Sequence, residues 1–406
     1  MNHFVFVVCG SREHTDTLNF SLNYLKHFSQ SKIIVITDSS RNESSIKHDH
    51  IIDVKTPEKY SHHEASIFLK TSLHHYLEMK PENEFCYLDS DIVAVSKAVD
   101  DIFNLQASPV LFAQDHDYFD SFSPYALNCG CLEKFNASIE ALSEKLDDLS
   151  PDFKHQDPYR QEAERELMDA FYRMKKQPVK YSLNILKYMF NRFVSPKQSF
   201  LFAKQFRFNK ANLAWYNQEG KIISFDYPRL SEKLAKTHGI LYDKTTQNWK
   251  SQSGKNFFTK TISCAHLRNY IQDKYAIKIP SKWRHWNGGV FRFNQKSTDF
   301  LNTWHKLTIE EFNNSYTKTR DQAMLAVTAW KFDIQNMKTL SVKYNFITEY
   351  NNPAVAWHAE KGYTYDRFKT KFSPAFLHIY HHWGHEGWSI WDSLTNQIED
   401  GATNQK

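Results

Sequence analysis

Cysteine, glycine and long apolar segments are all scarce in this sequence of 406 residues, which has five cysteines and 11 glycines. So few and so scattered cysteines exclude a disulfide framework and are typical of reduced thiols in a cytoplasm. No apolar run approaches the roughly 20 residues that a membrane-spanning helix needs. The N-terminus also lacks the basic start and cleavage site of a signal peptide. We therefore expect a cytoplasmic protein, with at most peripheral contact at the inner membrane surface.

Cys129 and Cys131 form the one close cysteine pair, with the spacing C-x-C. Structural zinc sites usually combine two close pairs of Cys or His ligands. No second pair lies near this one in the sequence, so the sequence by itself does not predict a zinc site.

An excess of charge of one sign is lacking as well. The chain has 51 Lys and Arg against 46 Asp and Glu, a formal net charge of +5. So mild a balance gives no indication of a nucleic-acid partner. Hydrophobic residues at 41% and aromatic residues at 15% instead predict a well-packed core and exclude general disorder.

Short β-branched and aromatic runs alternate with helical patterns over the first 115 residues. The runs expected to be strands are Phe4–Cys9, Ile33–Ile36, Ile51–Val54, Phe85–Leu88 and Val110–Ala113, of which the first, second and fourth should be buried. The expected helices run from Thr15 or Asp16 to about Phe28 and over Glu64–Glu78. This alternation predicts an α/β fold with a mixed, mostly parallel sheet that is flanked by helices.

The remaining chain divides into three parts. Residues 116–275 are expected to be a mainly helical insertion, with helical spacing over Ala137–Leu149, Tyr159–Lys175 and Leu183–Phe193. Residues 276–390 should complete the sheet begun by residues 1–115, with a strand at Gly289–Phe293 and a late strand at Ala375–Tyr380. Residues 391–406 are expected to be a tail.

Acidic residues follow the predicted strands at the point where each strand ends. Asp89 and Asp91 come directly after Phe85–Leu88, and Asp38 follows Ile33–Ile36. The carboxyl ends of parallel strands meet at one edge of a sheet, where ligands bind. Paired carboxylates suit Mg²⁺ or Mn²⁺, and such an ion can neutralise the charge of a departing diphosphate. A D-x-D tripeptide is often only a polar turn, so its position after a buried strand is what favours a site.

Several motifs resemble those of the GT-A glycosyltransferases, in particular the family-8-like retaining enzymes that include glycogenin and bacterial lipooligosaccharide galactosyltransferases. Residues 87–92 (YLDSDI) resemble the YLDSD motif of that family. Four further segments resemble its later motifs in the same order: Trp286–Val290, Asp321-Gln322, Lys343-Tyr344-Asn345 and His381-His382-Trp383-Gly384. The resemblance covers about residues 1–115 and 280–390.

The resemblance implies a metal site and a donor site. Asp89, Asp91 and His381 would hold Mn²⁺ or Mg²⁺, and the imidazole favours Mn²⁺; His378 is the second choice for that imidazole. Asp321 would bind sugar hydroxyls, and Gln322 would lie near the anomeric carbon. The residues placed around the nucleotide-sugar donor are Gly10, Ser11, Asp38, Lys70, Ser90, Asn287, Gly288 and His385.

The activity implied is transfer of a hexose from a UDP-type donor to a glycan, polysaccharide or lipid-linked acceptor, with retention of configuration. The insertion would shape the acceptor side. One alternative is a sugar-nucleotide pyrophosphorylase, although Gly10-Ser11-Arg12 is a thin match to the glycine-rich loop of that class. Another is a non-catalytic, glycan-binding relative.

Overall fold

A computed structural model describes residues 1–107, 109–137, 158–226, 229, 240–243, 248–251, 256–258, 262–318, 320–348, 355–358, 362–365, 371–380 and 383–394. These residues form two compact units. The first comprises the described parts of Met1–Cys129, Ser263–Tyr365 and Thr370–Lys406, and the second those of Gly130–Ile262.

The helices and strands are as follows. The helices are α1 (Arg12–Phe28), α2 (His62–Ser72), α3 (Phe119–Ala126), α4 (Pro158–Lys176), α5 (Ser182–Met189), α6 (His266–Tyr275), α7 (Thr298–Glu310) and α8 (Arg320–Lys331). The strands are β1 (Asn2–Val8), β2 (Lys32–Thr37), β3 (Ile51–Asp53), β4 (Glu84–Leu88), β5 (Ile92–Ala94), β6 (Leu111–Tyr118), β7 (Ser199–Phe202), β8 (Phe206–Asn209), β9 (Ala214–Tyr216), β10 (Ile222–Phe225), β11 (Ile240–Asp243), β12 (Asn248–Ser251), β13 (Asn256–Phe258), β14 (Arg284–Phe293), β15 (Phe346–Ile347), β16 (Ala356–His358), β17 (Gly362–Thr364), β18 (Lys371–Phe372) and β19 (Phe376–His378).

A six-stranded sheet with the order β3-β2-β1-β4-β14-β6 forms the centre of the first unit. Strands β1 to β4 pair in parallel, whereas β14 pairs antiparallel with both β4 and β6. The prediction of a mixed, mostly parallel sheet flanked by helices is therefore confirmed. Because the parallel strands β2, β1 and β4 all end at the same edge, Asp38, Gly10 and Asp89 follow one another along that edge.

Strand β1 is buried on both faces from His3 to Val8. Phe4 and Phe6 face the core that contains Leu18 and Leu22 of α1, whereas Val5 and Val7 face the core built with α2, α7 and α8. Helices on both faces leave no side of this strand for polar residues, which is why its sequence is a continuous apolar run.

Strand β14 carries a bulge at the segment predicted to face a donor sugar. Asn287 pairs with Ala113, but Phe291 pairs with Phe112, so three residues of β14 lie opposite none of β6. A bulge of this kind bends the strand and redirects its backbone groups. Gly288 and Gly289 fall within it and lie beside the end of β4.

Four aromatic rings stack across the strands beneath this bulge. Phe291 lies between Tyr87 and Phe112, at ring-centroid distances of 4.8 and 4.6 Å, and Phe112 stacks on Trp286 at 5.4 Å. Trp286 is only 3% exposed, so it belongs to the core. The stack joins β4, β14 and β6 into one rigid platform.

A small sheet with the order β15-β19-β5 continues the chain from the acidic pair. Strand β5 begins directly after Asp91, and its first residue, Ile92, pairs with His378 of β19. This pairing brings the C-terminal part of the chain to Asp91.

The second unit differs from the prediction that residues 116–275 are mainly helical. Helix α4 covers the predicted segment Tyr159–Lys175, and α5 overlaps the predicted Leu183–Phe193. Residues 131–137 are helical, but Ala137–Leu149 lies almost wholly outside the described residues. Strands β7 to β10 form one antiparallel sheet and β11 to β13 another, and the prediction of a mainly helical insertion does not include these strands. The missed signal is the alternation of buried and exposed residues in Ser199–Phe202 and Phe206–Asn209, whose period of two is that of a strand.

Among the helices that the structure describes, none combines the length and the apolar character that crossing a bilayer would require.

We expect Phe291→Ala to lower the free energy of unfolding by about 3–5 kcal/mol, because it leaves a cavity at the centre of the aromatic stack. Urea denaturation followed by tryptophan fluorescence measures the change. Phe190→Ala is the matched control, since Phe190 is 56% exposed, and it should change stability by less than about 0.5 kcal/mol. Equal losses in the two variants would contradict the role given to the stack.

Candidate active site

Asp89 lies at the end of β4 and is held on three sides. Its backbone N–H donates to the carbonyl of Gly289 at 2.8 Å, which fixes the strand end against the bulge of β14. The hydroxyl of Tyr87 donates to its Oδ1 at 2.5 Å. The ammonium of Lys70, from α2, lies 3.2 Å from Oδ1 and 3.3 Å from Oδ2.

Lys70 links two acidic residues of the predicted site. Besides Asp89, its ammonium lies 3.4 Å from Oδ2 of Asp321, at the start of α8. Burial alone would lower the pKa of Lys70, but the charges of the two carboxylates outweigh it and raise the pKa. Burial also raises the pKa of Asp89; Lys70 opposes this, and the neighbouring charge of Asp91 adds to it. The site thus holds more negative charge than its lysine neutralises.

Asp91 faces the imidazole of His378, with 3.6 Å between Oδ2 and Nε2. The Nδ1 of His378 lies 2.9 Å from the side-chain oxygen of Asn345, which can only accept, so Nδ1 carries a proton and donates it. In this tautomer, Nε2 points towards the acidic pair. A hydrogen bond from the ring nitrogen that does not bind the metal commonly orients a metal-binding histidine.

Two observations test whether these residues fit a divalent cation. Among the described residues, Oδ1 of Asp91 is buried and has no hydrogen-bond partner. A Cβ on Gly289 would lie 2.8 Å from Cε1 of His378 and 3.2 Å from Oδ2 of Asp89, so a glycine is needed for both side chains to approach this point. Two carboxylates, one with an unsatisfied oxygen, and an oriented imidazole fit Mn²⁺ or Mg²⁺.

A further acidic group lies beside this site on β6. Ligand atoms of Asp115, His116 and Asp117 lie within 4.8 Å of one another, so these residues are also a candidate metal site. Asp115 accepts a hydrogen bond of 3.0 Å from the side-chain amide of Asn287. The sequence does not predict this group, because the pairing of β6 with β14 that brings Asp115 to Asn287 cannot be inferred from it.

The predicted donor residues of the bulge are joined to the start of α8. The backbone N–H of Gly288 donates to Oε1 of Gln322 at 3.1 Å, and the amide of Gln322 donates to the carbonyl of Trp286 at 2.5 Å. Asn287 accepts from the N–H of Gly289 at 2.9 Å. The structure therefore brings Lys70, Asp89, Asn287, Gly288, Asp321 and Gln322 together.

The residues predicted at the ends of β1 and β2 fix their own loops. Gly10 has φ +115° and donates its N–H to Asn42, and a Cβ there would lie 2.8 Å from His62. Ser11 precedes α1, and its hydroxyl lies 2.9 Å from Nδ1 of His14. A cavity of about 380 Å³ opens beside this loop and is lined by residues that include Asn42 and Thr37, but neither Asp89 nor Asp91 lines it.

Asp38 is 2% exposed, and its carboxylate accepts hydrogen bonds from Ser40 and Thr56. Burial alone would raise its pKa, but these hydrogen bonds together lower the pKa to about 2. The carboxylate is thus already engaged by its own loop.

The other predicted residues have separate positions. The carbonyl of Ser90 accepts a hydrogen bond of 2.6 Å from Ser21 of α1. His385 is exposed, and its carbonyl accepts from the N–H of Trp388. His381 lies outside the described residues. Among the described residues, His378 is the histidine that faces Asp91, and the sequence ranked it second because H-x-x-G spacing favoured His381.

We expect Lys70→Met to lower the free energy of unfolding by about 1–3 kcal/mol, because it leaves Asp89 and Asp321 without their shared cation. Breaking a fully buried pair costs about 3–5 kcal/mol, and the side chain of Asp89 is 31% exposed, which reduces the loss. Lys343→Met is the matched control, because the side chains of Lys343 and its partner Asp101 are 33% and 56% exposed, well above the 12% of Lys70. A loss in Lys70→Met no larger than in this control, both measured by urea denaturation, would refute the charge balance described.

No known family and no curated protein matches the sequence. Solved structures similar to this chain include the bifunctional glycosyltransferase WbbM, at 9% identity over 98% of this chain and 49% of WbbM, with a TM-score of 0.40. The galactosyltransferase LgtC with donor and acceptor sugar analogues matches at 10% identity over 98% and 95%, with a TM-score of 0.39. Mouse xyloside xylosyltransferase 1 matches at 8% identity over 93% and 97%, with a TM-score of 0.36. The chain spans about half the length of WbbM, and likenesses this distant assign it neither an activity nor a substrate.

Proposed function

We propose that the protein is a metal-dependent glycosyltransferase that moves a hexose from a UDP-type donor to a glycan, polysaccharide or lipid-linked acceptor. The observation that carries this proposal is the buried, unpartnered Oδ1 of Asp91, which lies beside Asp89 and the oriented imidazole of His378. A buried carboxylate oxygen without a partner is costly unless a ligand satisfies it. The position of these groups at the carboxyl edge of a parallel sheet supports a nucleotide ligand.

Asp89, Asp91 and His378 would hold Mn²⁺ or Mg²⁺, which when bound supplies positive charge to the departing diphosphate. The imidazole in this set favours Mn²⁺. This assignment replaces His381 by His378 on the strength of the 3.6 Å approach to Asp91.

Lys70, Asp321 and Gln322 would bind and orient the donor. The ammonium of Lys70 pairs with both Asp89 and Asp321. These pairs hold it at the acidic site, where it would meet an anionic group of the donor. Asp321 would accept hydrogen bonds from sugar hydroxyls. Gln322 is fixed by the carbonyl of Trp286 and the N–H of Gly288, which holds its amide beside the bulge.

The proposed reaction needs no strongly nucleophilic side chain. The bond between the anomeric carbon and the diphosphate oxygen breaks, and the acceptor oxygen forms a new bond to that carbon. The proton of the acceptor hydroxyl passes to the departing phosphate oxygen. Attack on the face that the diphosphate leaves would retain the configuration.

We expect Asp91→Ala to abolish turnover with little change in stability, because it removes a cation ligand that the fold itself does not use. The measurement is slow hydrolysis of a panel of sugar nucleotides with Mn²⁺, which requires no acceptor. Release of nucleoside diphosphate by the wild type, and its loss with EDTA, are the expected results.

Asp49→Ala is the matched control, since Asp49 is exposed and lies outside the site. It should retain full turnover. Undiminished, metal-dependent hydrolysis by Asp91→Ala would contradict the assignment of the acidic pair. Absence of any hydrolysis or UDP binding by the wild type would favour a non-catalytic relative.

A second pair of variants identifies the imidazole ligand. His378→Ala should raise the Mn²⁺ concentration needed for half-maximal hydrolysis at least about tenfold, as expected for loss of a direct ligand. His381→Ala should leave that concentration nearly unchanged. The reverse ranking would restore the histidine that the sequence motif favours.

A further inference from the structure

Three thiols and an imidazole meet well away in sequence from the acidic pair. The Sγ atoms of Cys129, Cys131 and Cys264 and a ring nitrogen of His266 all lie within 4.8 Å of one another. Cys129 and Cys131 form a C-x-C pair, and Cys264 and His266 form a C-x-H pair. Cys264 follows Cys129 by 135 residues, so the sequence alone does not associate the two pairs.

The spacing of the sulfur atoms suits a shared metal ion. The Sγ atoms of Cys129 and Cys264 are 3.9 Å apart. In a tetrahedral site with zinc–sulfur bonds of about 2.3 Å, two sulfurs lie about 3.8 Å apart. A disulfide would require about 2.05 Å, and none of the three thiols is in a disulfide.

Hydrogen bonds of the surrounding backbone hold these residues in place. The N–H of Asn128 donates to the carbonyl of Tyr316 at 2.8 Å, and that of Cys264 donates to the carbonyl of Asp120 at 2.9 Å. The chain on both sides of the cluster is therefore anchored to the first unit independently of any metal.

A serine hydroxyl supports one of the sulfurs. The Oγ of Ser123 in α3 accepts from the N–H of Leu267 at 2.9 Å and lies 3.1 Å from the Sγ of Cys264. Either atom can donate across this contact, and the hydroxyl is the donor once Cys264 is deprotonated. A hydroxyl that donates to a sulfur stabilises the thiolate form, which is the form that binds metal.

We propose that Cys129, Cys131, Cys264 and His266 form a structural Zn²⁺ site. Three soft thiolates with one imidazole are a ligand set that selects zinc over Mg²⁺ or Mn²⁺. Four protein ligands complete the tetrahedron, which leaves no open position for substrate. On binding, the three thiols each form a bond to zinc and release their protons to solvent. The ion fastens the end of the α3 segment to the start of α6 across 135 residues of chain, which restricts the unfolded state.

Cobalt substitution of the reduced full-length protein tests the site directly. The wild type, stripped of metal and loaded with one equivalent of Co²⁺, should show a sulfur-to-cobalt charge-transfer band and the intense visible bands of tetrahedral cobalt. Zn²⁺ should displace both, and protein purified without chelator should contain one zinc per chain. The acidic pair has no thiolate, so Asp91→Ala should leave the spectrum unchanged.

Variants assign the ligands. Cys264→Ser should lose the charge-transfer band and the bound zinc, whereas Cys86→Ala, a buried cysteine outside the cluster, should keep both. His266→Ala should weaken zinc binding more than about tenfold. His266→Cys should retain it, because it restores a fourth ligand.

Absence of the charge-transfer band in cobalt-loaded, reduced wild-type protein would overturn the proposal. This outcome does not depend on whether any variant folds. A band that survives Cys264→Ser would also overturn the ligand assignment.

Discussion

The hydrogen bond from the N–H of Asp89 to the carbonyl of Gly289 joins the two halves of the candidate site. It exists because β14 enters the sheet antiparallel to β4 and bulges at Asn287, which bends its backbone towards the end of β4. With a side chain at position 289, neither Asp89 nor His378 would keep its place. The close approach of two backbones therefore determines where the acidic pair, the imidazole and the bulge meet.

The carboxylates at this point of the site carry more negative charge than the neighbouring lysine neutralises. Lys70 offsets part of the charge of Asp89 and Asp321, and Asp91 keeps one carboxylate oxygen unsatisfied. The aromatic stack beneath the bulge supplies the rigidity that such a site needs, because it holds Tyr87, whose hydroxyl binds Asp89, in a fixed position. Packing of the aromatic rings thus keeps the charged side chains of the site in position.

The sequence predicted the central sheet well because its strands are continuous apolar runs, which only burial on both faces explains. It identified Asp89, Asp91, Asn287 and Gln322 as candidate site residues, because the short motifs that contain them lie at strand ends and helix starts. It could not predict that His378 faces Asp91, because this approach depends on the pairing of β19 with β5. It missed the sheets of the second unit because strands of three or four residues carry too few alternations to be separated from a lysine-rich background.

The contact between Cys129 and Cys264 also bears on how the segment between them can vary in evolution. Residues on either side of a 135-residue excursion come back within touching distance. A core whose entry and exit points coincide tolerates replacement of the intervening segment by a longer or shorter one, because its own strands need not move. This geometry lets the excursion vary in length and sequence while the central sheet of the first unit stays constant.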